Sequence, residues 1–537
     1  MADTKPHETS AVAAAWSPFA VPAFRVVWIA VLISNIGGWM ASVATAWLMT
    51  TLDPSPLMVS LVSAATGLPL FLFALPAGAL ADIVDRRKLL IFAQFFMMAL
   101  VIVLLVMSMT GLITPLTLLI LIFLIETGTA FETPAFLAVL PELVPKKQLQ
   151  PALALNGVGI NISRIVGPAL GGLVVGAVGV VAALAINAVT FGAVISAYAR
   201  LPPTKPETCL PAERLLAAMR TGWRFTRESS ELKATLVRAA AFFLFASSYL
   251  ALLPLVARDQ LAAGAGGFGV LFGCHGAGAV LGALLLPYVR ERVSPDQLVL
   301  GGELLAAAMT ALLATAHHIA IAIPIMLITG AGSLAIMSTL MLSAQVALPP
   351  WVKARGLAVV QMVFSGALTL GSLVWGALAD QVGIPWTLVT AGVGLAGASI
   401  LTLRWRLPAQ EAEDYRPSLH WPLPTTAGSI ADDRGPVMVT VEYRIDPARS
   451  AAFAEALERR GHVRRRDGAL FWEHFADATD PARHIEVFIA ESWMEHLRQH
   501  ERVTVADRAL EDELRTFQLG EAAPVVTHLI SARTRRR

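Results

Sequence analysis

The chain has 537 residues, of which 56% are apolar and only 15% charged, with a formal net charge of +2 and a mean hydropathy of +0.64. Soluble globular proteins carry about 25% charged residues, so an ordinary soluble protein is excluded. The near-neutral balance gives no reason to expect a nucleic-acid partner, and Arg535-Arg536-Arg537 reads as a solvated tail. Charge is sparse over residues 24–404 and dense over 431–537, the pattern of a membrane domain followed by a soluble one.

In chain order, residues 1–23 contain Asp3 and Glu8 without an apolar core, and read as a cytoplasmic N-terminal segment rather than a cleaved signal. Twelve apolar stretches follow, at 24–50, 57–81, 89–110, 114–140, 152–176, 179–199, 236–256, 268–289, 298–316, 319–342, 355–378 and 385–404. Their lengths suit helices crossing a hydrocarbon core of about 30 Å. Basic residues fall in alternate loops: Arg86, Arg87 and Lys88; Lys146 and Lys147; eight from Arg200 to Arg238; Arg290 and Arg292; Lys353 and Arg355; Arg404 and Arg406. Only Arg258 lies in an opposite loop, so the bias places both termini in the cytoplasm.

Residues 24–199 and 236–404 thus form two six-helix halves. Between them, residues 200–235 carry Leu215, Leu216, Met219, Trp223 and Phe225 at spacings that predict an amphipathic helix on the inner membrane surface. The halves share an internal repeat. At an offset of 200 positions, Gly171, Leu173, Val174, Gly176 and Ala177 recur as Gly371, Leu373, Val374, Gly376 and Ala377. At an offset of 204, Gly78-Ala79-Leu80 recurs as Gly282-Ala283-Leu284 and Arg86 as Arg290. Cys209 and Cys274 lie in a loop and a span respectively, so no disulfide is expected.

The turn between spans 2 and 3 reads Gly78-Ala79-Leu80-Ala81-Asp82-Ile83-Val84-Asp85-Arg86-Arg87-Lys88. It resembles the loop between helices 2 and 3 of the major facilitator superfamily, matching at Gly78, Leu80, Asp82, Arg86, Arg87 and Lys88. It departs at Ile83, where that pattern prefers Arg, and at Asp85, where it prefers Gly. The resemblance implies alternating-access transport between duplicated halves, with Asp82 bonding the inner end of span 11 in the outward-facing state. It also implies that Arg86 pairs with an acid near the end of span 4, such as Glu142. Span 5 carries Gly167-Pro168-Ala169-Leu170-Gly171-Gly172, similar to the second half of the antiporter element of drug/proton exporters; Ala154 and Ser163 replace its earlier glycines. Small residues here either serve helix packing alone or mark an exporter.

Charges inside spans are costly, at least about 2.5 kcal/mol at a helix centre, and point to function or pairing. Glu126 on span 4 and Arg164 on span 5 fall at similar depths, roughly 18 Å from the outer ends at 1.5 Å per residue, which predicts an ion pair or a proton-linked pair. Glu132 is a second candidate for protonation or for contact with a cationic substrate. Exporters of the superfamily often carry an Arg in span 4, which this chain lacks. Glu303 reads as snorkelling, His275 as a packed neutral imidazole, and His317-His318 as a polar outer turn.

After a Pro-rich linker over 405–433, residues 434–537 read β-α-β-β-α-β: strands at Val437–Ile445, Ala469–Phe475, His484–Glu491 and Val525–Ile530, helices at Ala448–Arg464 and Trp493–Arg515. That order predicts a ferredoxin-like domain with Phe453, Leu457, Leu470, Trp472, Phe475, Phe488, Trp493 and Leu514 in its core. It resembles small domains of the antibiotic-biosynthesis-monooxygenase type, which implies dimerisation through sheets. Glu491–Ala506 and Leu143-Val144-Pro145 narrow the resemblance to exporters related to the enterobactin exporter, the transmembrane secretion effector branch. His496 and His500 have metal-compatible spacing, but without a third ligand in view they read as an exposed helix face.

The expected protein is therefore an all-α polytopic membrane protein of twelve helices with a small α+β domain. It is expected to be a secondary transporter of the bacterial inner membrane exporting a siderophore- or drug-like molecule by proton antiport. Its expected partners are that substrate, protons and membrane lipids, without cofactor, metal or catalytic residues, and with dimerisation through the C-terminal domain. The alternatives are a nutrient importer on the same fold, or a membrane-anchored enzyme or sensor acting through that domain.

Overall fold

The computed structural model describes residues 16–201, 225–349, 351–408, 418, 421, 430–431, 434–520 and 522–532. The side chains of Ala79, Asp82, Ile83, Ala354 and Glu501 lie outside that description, as does most of the segment expected to form an amphipathic helix at 200–235. The chain divides into two compact units. The described residues include twelve helices long and apolar enough to cross a membrane, which lie in the first unit apart from the ends of α7, α10 and α11: α1 Pro22–Leu52, α2 Pro56–Ile83, α3 Arg86–Thr110, α4 Pro115–Val139, α5 Leu149–Val178, α6 Val180–Ala199, α7 Ser230–Leu255, α8 Gly264–Arg290, α9 Pro295–Leu313, α10 Ile319–Val346, α11 Lys353–Val382 and α12 Ile384–Leu401. The basic ends of these helices are called inner and the opposite ends outer.

Local chemistry starts and stops these helices. Ser55 caps α2 ahead of Pro56, and Thr114 and Ser294 form capping boxes with Thr117 and Gln297 ahead of Pro115 and Pro295. Asp85 caps α3 by accepting from the Lys88 amide at 3.2 Å. This explains its presence where the superfamily pattern prefers Gly: an aspartate oxygen satisfies an otherwise orphaned amide. Gly179 (φ +99°) turns α5 into α6, and Gly383 (φ +84°), 204 positions later, turns α11 into α12. The repeat is therefore built into the backbone, since a side chain at either site would be strained.

Packing follows the repeat. A Cβ on Gly171 of α5 would lie 2.8 Å from the Met40 Cα of α1, and one on Gly371 of α11 would strike the Leu244 carbonyl of α7. Within the first half, α1 packs on α5 and α6, α2 on α4, and α3 on α4 and α6. The halves meet through α5 with α8 and α2 with α11. Gly172 faces Gly269, Gly176 faces Gly266, and Gly276 faces Arg164; Ser60 faces Gly376, Gly67 faces Thr369, and Phe71 faces Gly366. At the outer end the Leu57 amide donates to Asp380 at 3.4 Å, and Arg258 donates to the Thr50 carbonyl. These contacts extend inward from the outer ends by roughly 21 Å along α2 and 18 Å along α5.

The second unit comprises Arg214–Ala234, Ser343–Val359 and Leu407–Arg537. Its folded core holds β1 Val437–Arg444, α13 Ser450–Arg466, β2 Phe471–Ala476, β3 Arg483–Ala490, α14 Trp493–Arg502, α15 Val505–Arg515 and β4 Val525–Ile530. The sheet order is β2-β3-β1-β4, every neighbouring pair antiparallel, which is ferredoxin-like. One departure is a break in the helix expected over Trp493–Arg515. Thr504 accepts from the Asp507 amide while Asp507 accepts from the Thr504 amide, a reciprocal cap that starts a new helix.

Val437, Val439, Val441, Phe453, Leu457, Trp472, Phe488, Trp493 and Leu514 form the domain core. Leu470 and Phe475, expected there, are 52% and 49% exposed. Trp472 takes the inward side of β2, and Phe471 and Phe475, one and three positions away, necessarily point to the other side. A boundary at residue 434 also omits segments that pack with the domain: the Arg502 guanidinium lies 4.5 Å from the Trp351 ring and that of Arg466 lies 5.9 Å from the Phe225 ring.

Candidate substrate cavity and inner gate

A cavity of about 630 Å³ lies between the two halves of the membrane unit, within the size range of sites for drug-sized molecules. The first half supplies its charges and its side-chain amides: Glu126, Glu132, Arg164, Gln94, Asn35 and Asn187. The second half supplies aromatic surface and one imidazole: Phe242, Phe243, Tyr249, Phe268, Phe272 and His275. The carboxylates and the guanidinium therefore stand on one side of the chamber, and the other side is mainly aromatic with His275 among it. Arg258, Asp380 and Gly172 lie outside its lining and belong to the outer contacts.

All three charged candidates face this cavity, but the expected ion pair is not formed. Among the described residues, no carboxylate lies within 4.0 Å of Arg164, whose guanidinium instead sits 5.8 Å from the Trp39 ring. Although consecutive, α4 and α5 do not pack closely on each other: α4 packs on α2 and α3, while α5 packs chiefly on α1 and α8. Equal depth therefore places Glu126 and Arg164 across a chamber rather than in contact. Glu132 accepts from Gln94 Nε2 at 2.6 Å and from the Tyr198 hydroxyl at 3.3 Å, joining α3, α4 and α6 through one carboxylate. Neither partner carries a charge, and among the described residues no cation lies within 4.0 Å of Glu132.

Glu303 corrects its expectation. It is 1% exposed, and neither carboxylate oxygen has a hydrogen-bond partner. It lies on α9, which packs on α12 rather than facing headgroups. Asp85 and Ser294 cap α3 and α9, and nine residues beyond each stand Gln94 and Glu303. His275 lines the cavity with its ring 5.8 Å from Tyr249 and its Nδ1 buried without a partner. His317 and His318 are exposed.

At the inner turn, Arg86 donates to Glu142 at 2.6 Å, tying the start of α3 to the segment after α4, and Arg87 donates to the Ala199 carbonyl at the end of α6. Leu80 is partly exposed, and a Cβ on Gly78 would meet nothing within 4 Å. The side chain of Asp82 lies outside the described residues. In α5, Gly167 and Gly171 face Trp39 and Met40 of α1, while Gly172 faces α8. Their partner stripe on α8 (Gly266, Gly269, Gly273, Gly276) was readable as a run of small residues at helical spacing, but α5 alone held the motif.

Twelve spans in two repeated halves around one central chamber define the class: a polytopic membrane transporter of the major facilitator type. The chain belongs to the transmembrane secretion effector family, whose pattern matches residues 13–536. A macrolide efflux protein of Streptococcus pyogenes is 28% identical over 240 residues, 44% of this chain and 59% of that protein. An enterobactin exporter of Escherichia coli O1:K1 / APEC is 27% identical over 293 residues, 52% of this chain and 66% of the exporter. The matched region spans about three fifths to two thirds of these relatives' lengths. Among solved structures, a bacterial homolog of the human lysosomal transporter Spinster, inward-facing and unoccupied, aligns with a TM-score of 0.56 at 13% identity, covering 75% of this chain and 98% of that one. That likeness is one of fold.

Proposed function

We propose that this protein exports an amphipathic organic molecule of the siderophore or macrolide kind across the bacterial inner membrane, exchanging it for protons, with both termini in the cytoplasm. The observation that carries the reading is the two-faced cavity, in which Glu126 and Glu132 have no cationic partner within 4.0 Å among the described residues. An unpaired carboxylate in a low-dielectric chamber binds either a proton or a positively charged substrate group, and competition between the two is the simplest form of antiport. The aromatic wall supplies apolar contact for the rest of the substrate. The efflux and export roles named for the two relatives support the outward direction. Because contacts between the halves are at the outer ends and Gly78 faces open space, we read this conformation as open to the cytoplasm.

The test is accumulation. Cells producing the protein should retain less of a labelled macrolide or catecholate siderophore than cells lacking it, by severalfold, and a protonophore should erase the difference. Equal retention across a broad panel of both classes would remove the export reading.

The C-terminal domain adds a dimerisation proposal. The face of its sheet opposite the core presents Met438, Ile489, Phe471, Leu529, Phe475 and Val525 in adjacent registers, four of them 43–64% exposed. An apolar face of this kind marks an interaction surface. Light scattering of the detergent-solubilised chain should report a dimer that Phe471→Arg converts to a monomer; an unchanged mass for that variant would exclude this face.

A further inference from the structure

We propose that His496, His500 and His528 form a binding site for one borderline divalent transition-metal ion, of which Zn²⁺ is the reference case. His496 and His500 are one turn apart on α14 and so share a face. His528 lies opposite Val439 in the β1–β4 register. Val439 is a core residue, so His528 points to the side of the sheet that the helices cover. One ring nitrogen from each histidine can be chosen so that all three lie within 4.8 Å of one another. Tetrahedral zinc with Zn–N of about 2.0–2.1 Å places its ligands roughly 3.4 Å apart, a distance that small ring rotations reach.

A second observation points to a ligand rather than to incidental proximity. His496 is 1% exposed, yet its ring nitrogens and the neighbouring Gln499 amide do not meet in hydrogen-bond geometry, and Nδ1 of His500 is buried without a partner. Buried polar atoms left unsatisfied are costly, and an ion in this pocket would engage one ring nitrogen of each histidine. Trp493, Phe488 and Trp421 wall the cluster, with ring centroids 5.6 Å and 6.4 Å from His496 and 5.1 Å from His500.

The electrostatics suit a cation bound by neutral nitrogen. Burial pushes His496 down to about 3 and His500 down to about 4, with mutual repulsion adding to it, and lowers His528 as well. Imidazole ligates a metal through a neutral ring nitrogen. Arg464 is the opposing charge near the cluster, but it is ion-paired with buried Glu486 at 3.0 Å and lies against the Phe488 ring at 4.2 Å. A donor set of three imidazoles without a carboxylate favours Zn²⁺, Ni²⁺ or Cu²⁺ over Mg²⁺ or Ca²⁺. It also leaves a fourth position for water or another ligand.

The experiment uses the full chain, purified in detergent without a polyhistidine tag, stripped with chelator and titrated with Zn²⁺ against a chromophoric competitor. One tight equivalent is expected, and Co²⁺ in its place should give the visible absorption of a tetrahedral nitrogen site. His496→Gln and His528→Gln should each weaken binding at least about 100-fold, the upper end of what losing even an outer-shell contact costs. The doubly exposed His317→Gln/His318→Gln control should bind as the parent does. His500→Cys keeps a ligand and should retain the tight equivalent while adding a thiolate charge-transfer band to the Co²⁺ spectrum, which guards against loss by unfolding. Absence of a tight equivalent, binding unchanged in His528→Gln, or a Co²⁺ spectrum without thiolate absorption in a folded, metal-binding His500→Cys protein would each overturn the site.

Discussion

Glu126→Gln and Glu132→Gln are expected to lose pH-gradient-driven accumulation of substrate by one to two orders of magnitude while retaining energy-independent exchange. Both carboxylates line the cavity and lack a cationic partner among the described residues. On the proposed antiport, each changes charge during the cycle without breaking an ion pair. An amide in the same place keeps the shape and most of the hydrogen-bonding capacity, and it removes only the titration. Glu132→Gln should show the larger defect, because its carboxylate accepts from both Gln94 and Tyr198 and so links protonation to the packing of α3, α4 and α6. The paired assays in reconstituted vesicles separate the roles. Exchange and accumulation lost together would make the residues structural or substrate-binding; accumulation kept at the parental level would show that the proton travels elsewhere.

Gly172→Leu should block transport almost completely in a protein that still inserts. A Cβ at Gly172 would lie 2.6 Å from the Gly269 Cα and 2.9 Å from the Ala265 carbonyl, both backbone atoms that cannot turn aside. Overpacking of this kind costs about 1–3 kcal/mol or more, and it falls on the outer contact between the halves. A bias of about 3 kcal/mol against one state changes the balance of two conformations roughly 150-fold. The variant is thus expected to remain with its outer side open. Distance measurements between spin labels on the outer ends of α5 and α8 would report this as a widening with loss of the short population. A short-distance population equal to the parent's, with transport intact, would show that the close approach is dispensable. Gly157, where an added Cβ meets nothing within 4 Å, supplies the matched control on the same helix.

The membrane architecture was legible because long apolar stretches report one physical constraint, that backbone polar groups in a bilayer must be satisfied within the helix, while charge bias sets orientation and the repeat marks the two halves. All twelve expected spans correspond to helices, with ends shifted by a few residues where caps such as Asp85 and Ser294 decide the boundary. What depth alone did not convey was adjacency. Glu126 and Arg164 are level, yet their helices pack on different partners, and consecutive order in the chain implied a contact that the bundle does not make. The four-stranded order of the C-terminal domain was readable from its alternating patterns, whereas the break at Thr504 required recognising a reciprocal cap within an apparently continuous helix. The histidine cluster was hidden for a related reason. His496 and His500 are local in sequence, but His528 reaches them through strand pairing, and the burial of His496 follows from the same closure of helix over sheet.

The most direct test of the account is movement of substrate in everted membrane vesicles, whose cytoplasmic face is outward. With an acid lumen, vesicles containing this protein should accumulate a labelled macrolide or catecholate siderophore against its gradient, alkalinise the lumen as they do so, and stop when the pH gradient is collapsed. Accumulation that ignores the pH gradient, or substrate movement out of an acid lumen, would contradict proton-coupled export.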